Sequence, residues 1–121
     1  MSERSQVLLK RMKTFAVRVI RMSEALPRRN AGWVVGKQII KSSSSIGANY
    51  IESQRASSKA HFVTILEISL READETRYWL ELIEEAELVS AAKLKNLYQE
   101  CAELVGILVA SSKSAKRNPS G

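Results

Sequence analysis

Arg55 and His61, with five residues between them, have the types and spacing for phosphoryl chemistry. A histidine can serve as general base, and an arginine can stabilise the charge that builds on a phosphorane-like transition state. Between them stand Ser57 and Ser58, residue types that begin helices by capping them. The pair is therefore expected to be split between two elements, with His61 an ordinary surface histidine. Glu67, Glu72, Asp74, Glu75 and Glu81 form an acidic group in which a metal could be sought. Di-iron helical bundles need Glu-x-x-His pairs, and the single histidine does not follow a glutamate by three residues, so no metal is expected. The one cysteine, Cys101, excludes an intramolecular disulfide and a cysteine zinc cage, and its apolar flanks make it a small core residue. Glycine-rich phosphate loops and nucleophile elbows are absent from the sequence. No catalytic residues and no cofactor are expected, and the chain reads as a non-enzyme.

Charge gives the stronger chemical signal. Arg4, Arg11 and Arg18 recur every seven residues, and Lys10, Lys13 and Arg21 broaden the basic face they form. No acid interrupts it between Arg4 and Arg21. The formal net charge is +6, distributed unevenly: residues 1–30 carry eight Lys/Arg against two acids, residues 58–90 three against eight. A cationic face of this kind binds phosphate backbones by releasing their counterions, without reading sequence. The competing expectation is a solvated face that keeps a protein-interaction scaffold soluble. A basic amphipathic helix can also lie on anionic lipid. Here its apolar side is needed in a core, so no membrane contact is expected.

These residues must be positioned by helices. The 121 residues suit one domain; hydrophobic residues make up 45%, with two prolines and five glycines. Leu8, Met12, Phe15, Val19, Met22 and Leu26 alternate four- and three-residue steps, which predicts a helix over about 5–26, stopped by Pro27. Ile39, Ser43, Ile46 and Tyr50 carry the same phase through the run Ser42–Ser45, which predicts an unbroken helix over 33–54. A flexible linker would mix glycine with serine and lack aliphatics in register. The run costs a helix roughly 2 kcal/mol relative to alanine. Packing must offset that, with Gly36, Ser43 and Gly47 letting another backbone approach. Further helices are expected over 58–86 and 91–112, followed by a frayed basic tail, 113–121. Glu67/Arg71, Arg71/Glu75 and Arg77/Glu81 are spaced for weak ion pairs along the third helix. Asn49, among the small residues, is expected to fix packing register. The fold class is all-α, an antiparallel up-down four-helix bundle. Ile65, Ile68, Trp79, Leu82, Leu97 and Leu104 lie off the seams and are expected to form a homo-oligomer interface. No apolar run is long enough to span a membrane, and the N-terminus lacks the apolar stretch of a signal peptide, so a cytoplasmic location is expected.

Ser45-Ile46-Gly47-Ala48-Asn49-Tyr50, then Glu52, Arg55 and Phe62, then Glu72-Ala73-Asp74-Glu75-Thr76 running into Tyr78-Trp79-Leu80-Glu81-Leu82, resemble the bacterial 23S rRNA intervening-sequence (S23) family. The resemblance spans about residues 33–88. It implies a four-helix bundle assembled as a pentameric ring, and supplies no reaction. The architecture is also similar to accessory proteins of diversity-generating retroelements. That likeness implies nucleic-acid binding, to RNA or DNA, and a reverse transcriptase as a protein partner. His61 departs from the acidic residue common in the family, and Lys41 is the nearest counterpart of an arginine the serine run replaces. The Arg55/His61 spacing is similar to the signature of HEPN-type ribonucleases, and implies a ribonuclease as the remaining alternative.

Overall fold

The computed structural model describes residues 1–117. Four α-helices follow one another: α1 (Glu3–Ser23), α2 (Asn30–Gln54), α3 (Lys59–Glu85) and α4 (Ala91–Arg117). Each packs on its sequence neighbour and α1 closes against α4, leaving α1 diagonal to α3 and α2 diagonal to α4. This is the up-down bundle that the periodicity predicts. Met12, Phe15 and Val19 of α1 meet Ile39 and Ile46 of α2, Leu66 and Leu80 of α3, and Leu94, Leu104 and Leu108 of α4 in one core.

The serine run is helical throughout, as predicted. Its hydroxyls return to the helix: Ser42 Oγ donates to the Ile39 carbonyl, Ser43 Oγ to that of Ile40, and Ser44 and Ser45 Oγ both to that of Lys41. Ser42 and Ser43 are buried, and their small size draws α2 and α3 into the most extensive interface of the bundle. Thr76 Oγ1 lies 2.8 Å from Ser42 Oγ, and Ser69 Oγ donates to the Ile46 carbonyl at 2.7 Å. Two buried interhelical hydrogen bonds, at about 1 kcal/mol each, offset the run's poor helix propensity. Asn49 is half-buried and donates to the Ser45 carbonyl of its own helix.

Three boundaries differ from the predicted ones. Helix α1 ends at Ser23, four residues ahead of Pro27, because Ala25 N–H and Leu26 N–H bond the Met22 and Ser23 carbonyls and tighten the chain into a turn. Helix α2 starts at Asn30, ahead of Trp33. Helix α4 runs on to Arg117. Its last turns are tied to α3, with Ser112 Oγ donating to Glu67 Oε2 and Lys116 Nζ 2.8 Å from the same oxygen. The expected frayed tail is thus helical to Arg117, and its remainder, 118–121, lies outside the described residues. Ser58 caps α3 by accepting from His61 N–H. Helix α3 ends with Glu87 in the left-handed region (φ 55°). Leu88 N–H returns to the Ile83 carbonyl and Glu87 N–H to that of Glu84, a Schellman closure.

Candidate nucleic-acid interface

The heptad arginines and the remaining α1 cations occupy different sides of the helix. Arg4, Arg11 and Arg18 lie on the flank turned toward α4, because a seven-residue step nearly retains helical phase beside the buried Met22 line. Lys10, Lys13 and Arg21 point away from the bundle and are exposed. The flank is not free of acids: Arg11 Nη2 sits 2.7 Å from Glu100 Oε1 and 3.2 Å from Glu103 Oε1, while its Nε donates to Glu100 Oε2. The bidentate bond to Glu100 pushes the guanidinium's pKa above its ordinary value. Arg11 is therefore spent on holding α1 to α4, and the expectation that it serves in a continuous basic face is corrected. The pattern of α1 alone does not reveal this, since the neutralising carboxylates come from a helix some ninety residues away.

Charge is segregated across the bundle's diagonal. The outer side of α3 carries Glu67, Asp74, Glu75, Glu81 and Glu85, opposite the exposed cations of α1. The expected pairs Glu67/Arg71, Arg71/Glu75 and Arg77/Glu81 are not among the ion pairs of the described residues, which all cross between helices. Exposed i,i+4 pairs gain little over hydration and side-chain freedom. Glu72, half-buried beside Glu75, has its pKa raised by burial first and then by that neighbour. Among the described residues no three His, Cys, Asp or Glu side chains converge to hold a metal ion.

Arg55 closes α2 and His61 begins α3; both side chains are exposed, and no hydrogen bond joins them. Cys101 is fully buried, and burial pushes its thiol up to about 12. Burial and the nearby Glu84 carboxylate likewise raise Tyr98.

The six apolar residues expected at an interface fall into two groups. Ile65, Leu97 and Leu104 are buried within the chain itself, at 8%, 4% and 0% exposure, and are removed from any surface patch. Each lies close enough to its seam to be covered by the adjoining helix, which widens the core beyond the strict 3.5-residue stripe. Ile68, Trp79 and Leu82 remain half-exposed on the α2-facing edge of α3. Sequence periodicity missed a second exposed set, Val17 and Ile20 on α1 with Trp33 on α2, the last 63% exposed.

At the other end of α1 the helices part. A cleft of about 960 Å³ opens between the start of α1 and the end of α4. Leu8, Tyr50, Phe62, Leu66 and Ile107 give its apolar lining, Ser5, Gln54, Ser111 and Ser114 its polar lining, and Arg4 and Arg11 stand along it. No sequence motif announces it, because its residues come from all four helices.

The fold and the segregated charge define a small all-α bundle with a cationic outer helix and an acidic diagonal partner. Residues 4–110 match the 23S rRNA-intervening sequence protein family, and the chain belongs to it. It is similar to a crystallised protein of unknown function from the S23 ribosomal protein family of Bacteroides thetaiotaomicron, at 34% identity and a TM-score of 0.83. That match covers 90% of this chain and 97% of the other. No protein of curated function matches. Among the described residues no helix is long and apolar enough to cross a membrane.

Proposed function

We propose that this chain is a non-enzymatic, self-associating cytoplasmic bundle that binds the phosphate backbone of RNA or DNA through the outer side of α1. One observation carries the reading: Lys10, Lys13 and Arg21 are exposed on one helix side, and no carboxylate within the described chain pairs with them. Arg28 and Arg29, exposed in the following loop, extend the same cationic region. Within the described chain these cations pair with nothing, and a polyanion would engage them together.

Self-association is supported by the two apolar edges, which carry opposite charge. Val17, Ile20 and Trp33 stand among Lys13, Arg21 and Lys37; Ile68, Trp79 and Leu82 stand among Glu72 and Glu75. Two different, complementary edges on one chain make a head-to-tail contact, which closes into a ring when the rotation allows. Such a ring repeats the cationic side, and repeated weak sites on one strand add avidity.

Fluorescence anisotropy with duplex RNA and duplex DNA across a salt series tests the reading. For duplex DNA, log K falls against log salt with a slope of about −0.9 per phosphate contacted. Replacing Lys10, Lys13 and Arg21 by Ala should make the slope shallower by roughly 3. Arg11→Ala should leave it unchanged. Absence of binding, or a triple variant that binds like the parent, would establish a scaffold whose charge only keeps it soluble. By sedimentation the parent should exceed 13.5 kDa, and Trp33→Glu should reduce it toward that mass. A monomeric parent removes the ring.

A further inference from the structure

We infer that the cleft between α1 and α4 receives an unstacked base, so that the preferred partner is single-stranded nucleic acid rather than duplex. The inference rests on the backbone-binding reading above and adds the site that chooses between strand states.

The lining supports it in three respects. Leu8, Phe62 and Ile107 offer apolar surface on which the face of a base can lie, and one of them is aromatic. The polar lining is unspent on the α4 side: the hydroxyls of Ser111 and Ser114 make no hydrogen bond among the described residues. They remain available to the edge of a base. Arg4, exposed and in no ion pair among the described residues, stands where a phosphate attached to that base would lie. A nucleobase is flat and apolar on its faces and polar round its rim, and a site for one needs this mixture. A duplex keeps its bases stacked and paired and cannot offer one to a cleft set between two helix ends. The cleft holds ample space for one base, at about 960 Å³. It opens on the α4-facing flank of the same helix whose outer side carries Lys10, Lys13 and Arg21, so a strand held on that outer side must cross the edge of α1 to place a base in it.

Three labelled probes of equal length test this by anisotropy at one salt concentration: a single-stranded RNA of about 12 nucleotides, the same backbone with abasic residues, and an RNA duplex. The base-bearing strand should bind about tenfold more tightly than the abasic one, the contribution of a stacked base or so. Ala110→Trp, which fills the cleft from an exposed α4 position, should bring the two to parity while leaving duplex binding unaltered. Ser114→Trp, exposed on the same wall, should do likewise and serves if the first variant melts early. Equal binding of the base-bearing and abasic strands overturns the base site and leaves the cationic side standing. A preference that persists in folded tryptophan variants overturns it too. If no probe binds, both readings fall. If the tryptophan variants change only the sedimenting mass, the cleft belongs to a second copy of the chain.

Discussion

Replacing Gly32 by alanine should destabilise this protein although it improves local helix propensity. Gly32 lies in the first turn of α2, beneath the loop that carries Pro27. A Cβ on it would overlap the Pro27 carbonyl oxygen and come within 2.9 Å of the carbonyl carbon. Both are backbone atoms, so no side chain can swing aside. That carbonyl also accepts from Arg29 N–H at 2.9 Å, and the chain just before it is held by Leu26 N–H bonding the Ser23 carbonyl. Making room therefore breaks a turn hydrogen bond, worth about 1 kcal/mol, and shifts the buried Leu26. Against this stands a gain of about 1 kcal/mol for replacing a helical glycine by alanine. A net loss of roughly 2 kcal/mol follows once backbone strain and disturbed packing are included. For a chain of this size that lowers Tm by about 8 °C. Gly106 is the control. It sits mid-α4, where an added Cβ would meet nothing within 4 Å, so Gly106→Ala should raise Tm by about 4 °C. Circular dichroism melts of the two variants decide the matter. A Gly32→Ala protein as stable as the parent would refute the steric reasoning.

Further outcomes follow from other sites. Glu87 holds a left-handed conformation that costs a non-glycine residue about 1 kcal/mol, so Glu87→Gly should stabilise in urea melts by most of that. The pKa of Glu72 is raised, which means folding favours its protonated form; the penalty on the folded state is present at neutral pH and disappears as pH falls below the ordinary carboxylate value. Glu72→Gln should thus stabilise at pH 7 and do nothing at pH 3. Glu67 behaves oppositely: its pKa is lowered by Lys116 first and then Ser112. Its contribution is present above the ordinary carboxylate value and is lost as pH falls through the depressed one, and amide exchange in the last turns of α4 should quicken there. Cys101, buried with its thiol pushed up to about 12, should resist iodoacetamide at pH 8 until the chain unfolds. Purified protein should not cleave rRNA; cleavage that vanishes on His61→Ala would make Arg55 and His61 a ribonuclease site.

Helix identity and order could be read from the chain because apolar spacing near 3.5 residues survives local oddities such as Ser42–Ser45. A serine at a buried position keeps helical phase whatever its propensity, and phase is what the neighbouring Ile39, Ile46 and Tyr50 report. The ends were less legible. Ser23 ends α1 through hydrogen bonds among residues 22–26 that resemble nothing in the sequence more specific than an approaching proline. Arg117 stays helical because Glu67, fifty residues earlier, binds Lys116 and Ser112. Boundaries settled by contacts between distant segments leave no local pattern. The same holds for Ile65, Leu97 and Leu104, whose off-seam positions suggest surplus surface but are covered by adjoining helices.

The charged side shows the converse difficulty. A seven-residue repeat places Arg4, Arg11 and Arg18 together, and a single helix viewed alone ranks them as the centre of a basic face. In a bundle that repeat runs beside the core, where partner helices can reach it, and Glu100 and Glu103 do reach Arg11. Cations out of phase with the seam, Lys10, Lys13 and Arg21, are the ones no neighbour can approach. Periodicity in phase with a core therefore selects residues for holding helices together, and a binding surface is better sought among charges that break the phase. Of the other two, Arg18 is half-buried and Arg4 is exposed beside the cleft, and neither is in an ion pair among the described residues. The free cations of the outer side thus follow from helical phase, and the opening with its unspent hydroxyls from the divergence of α1 from α4.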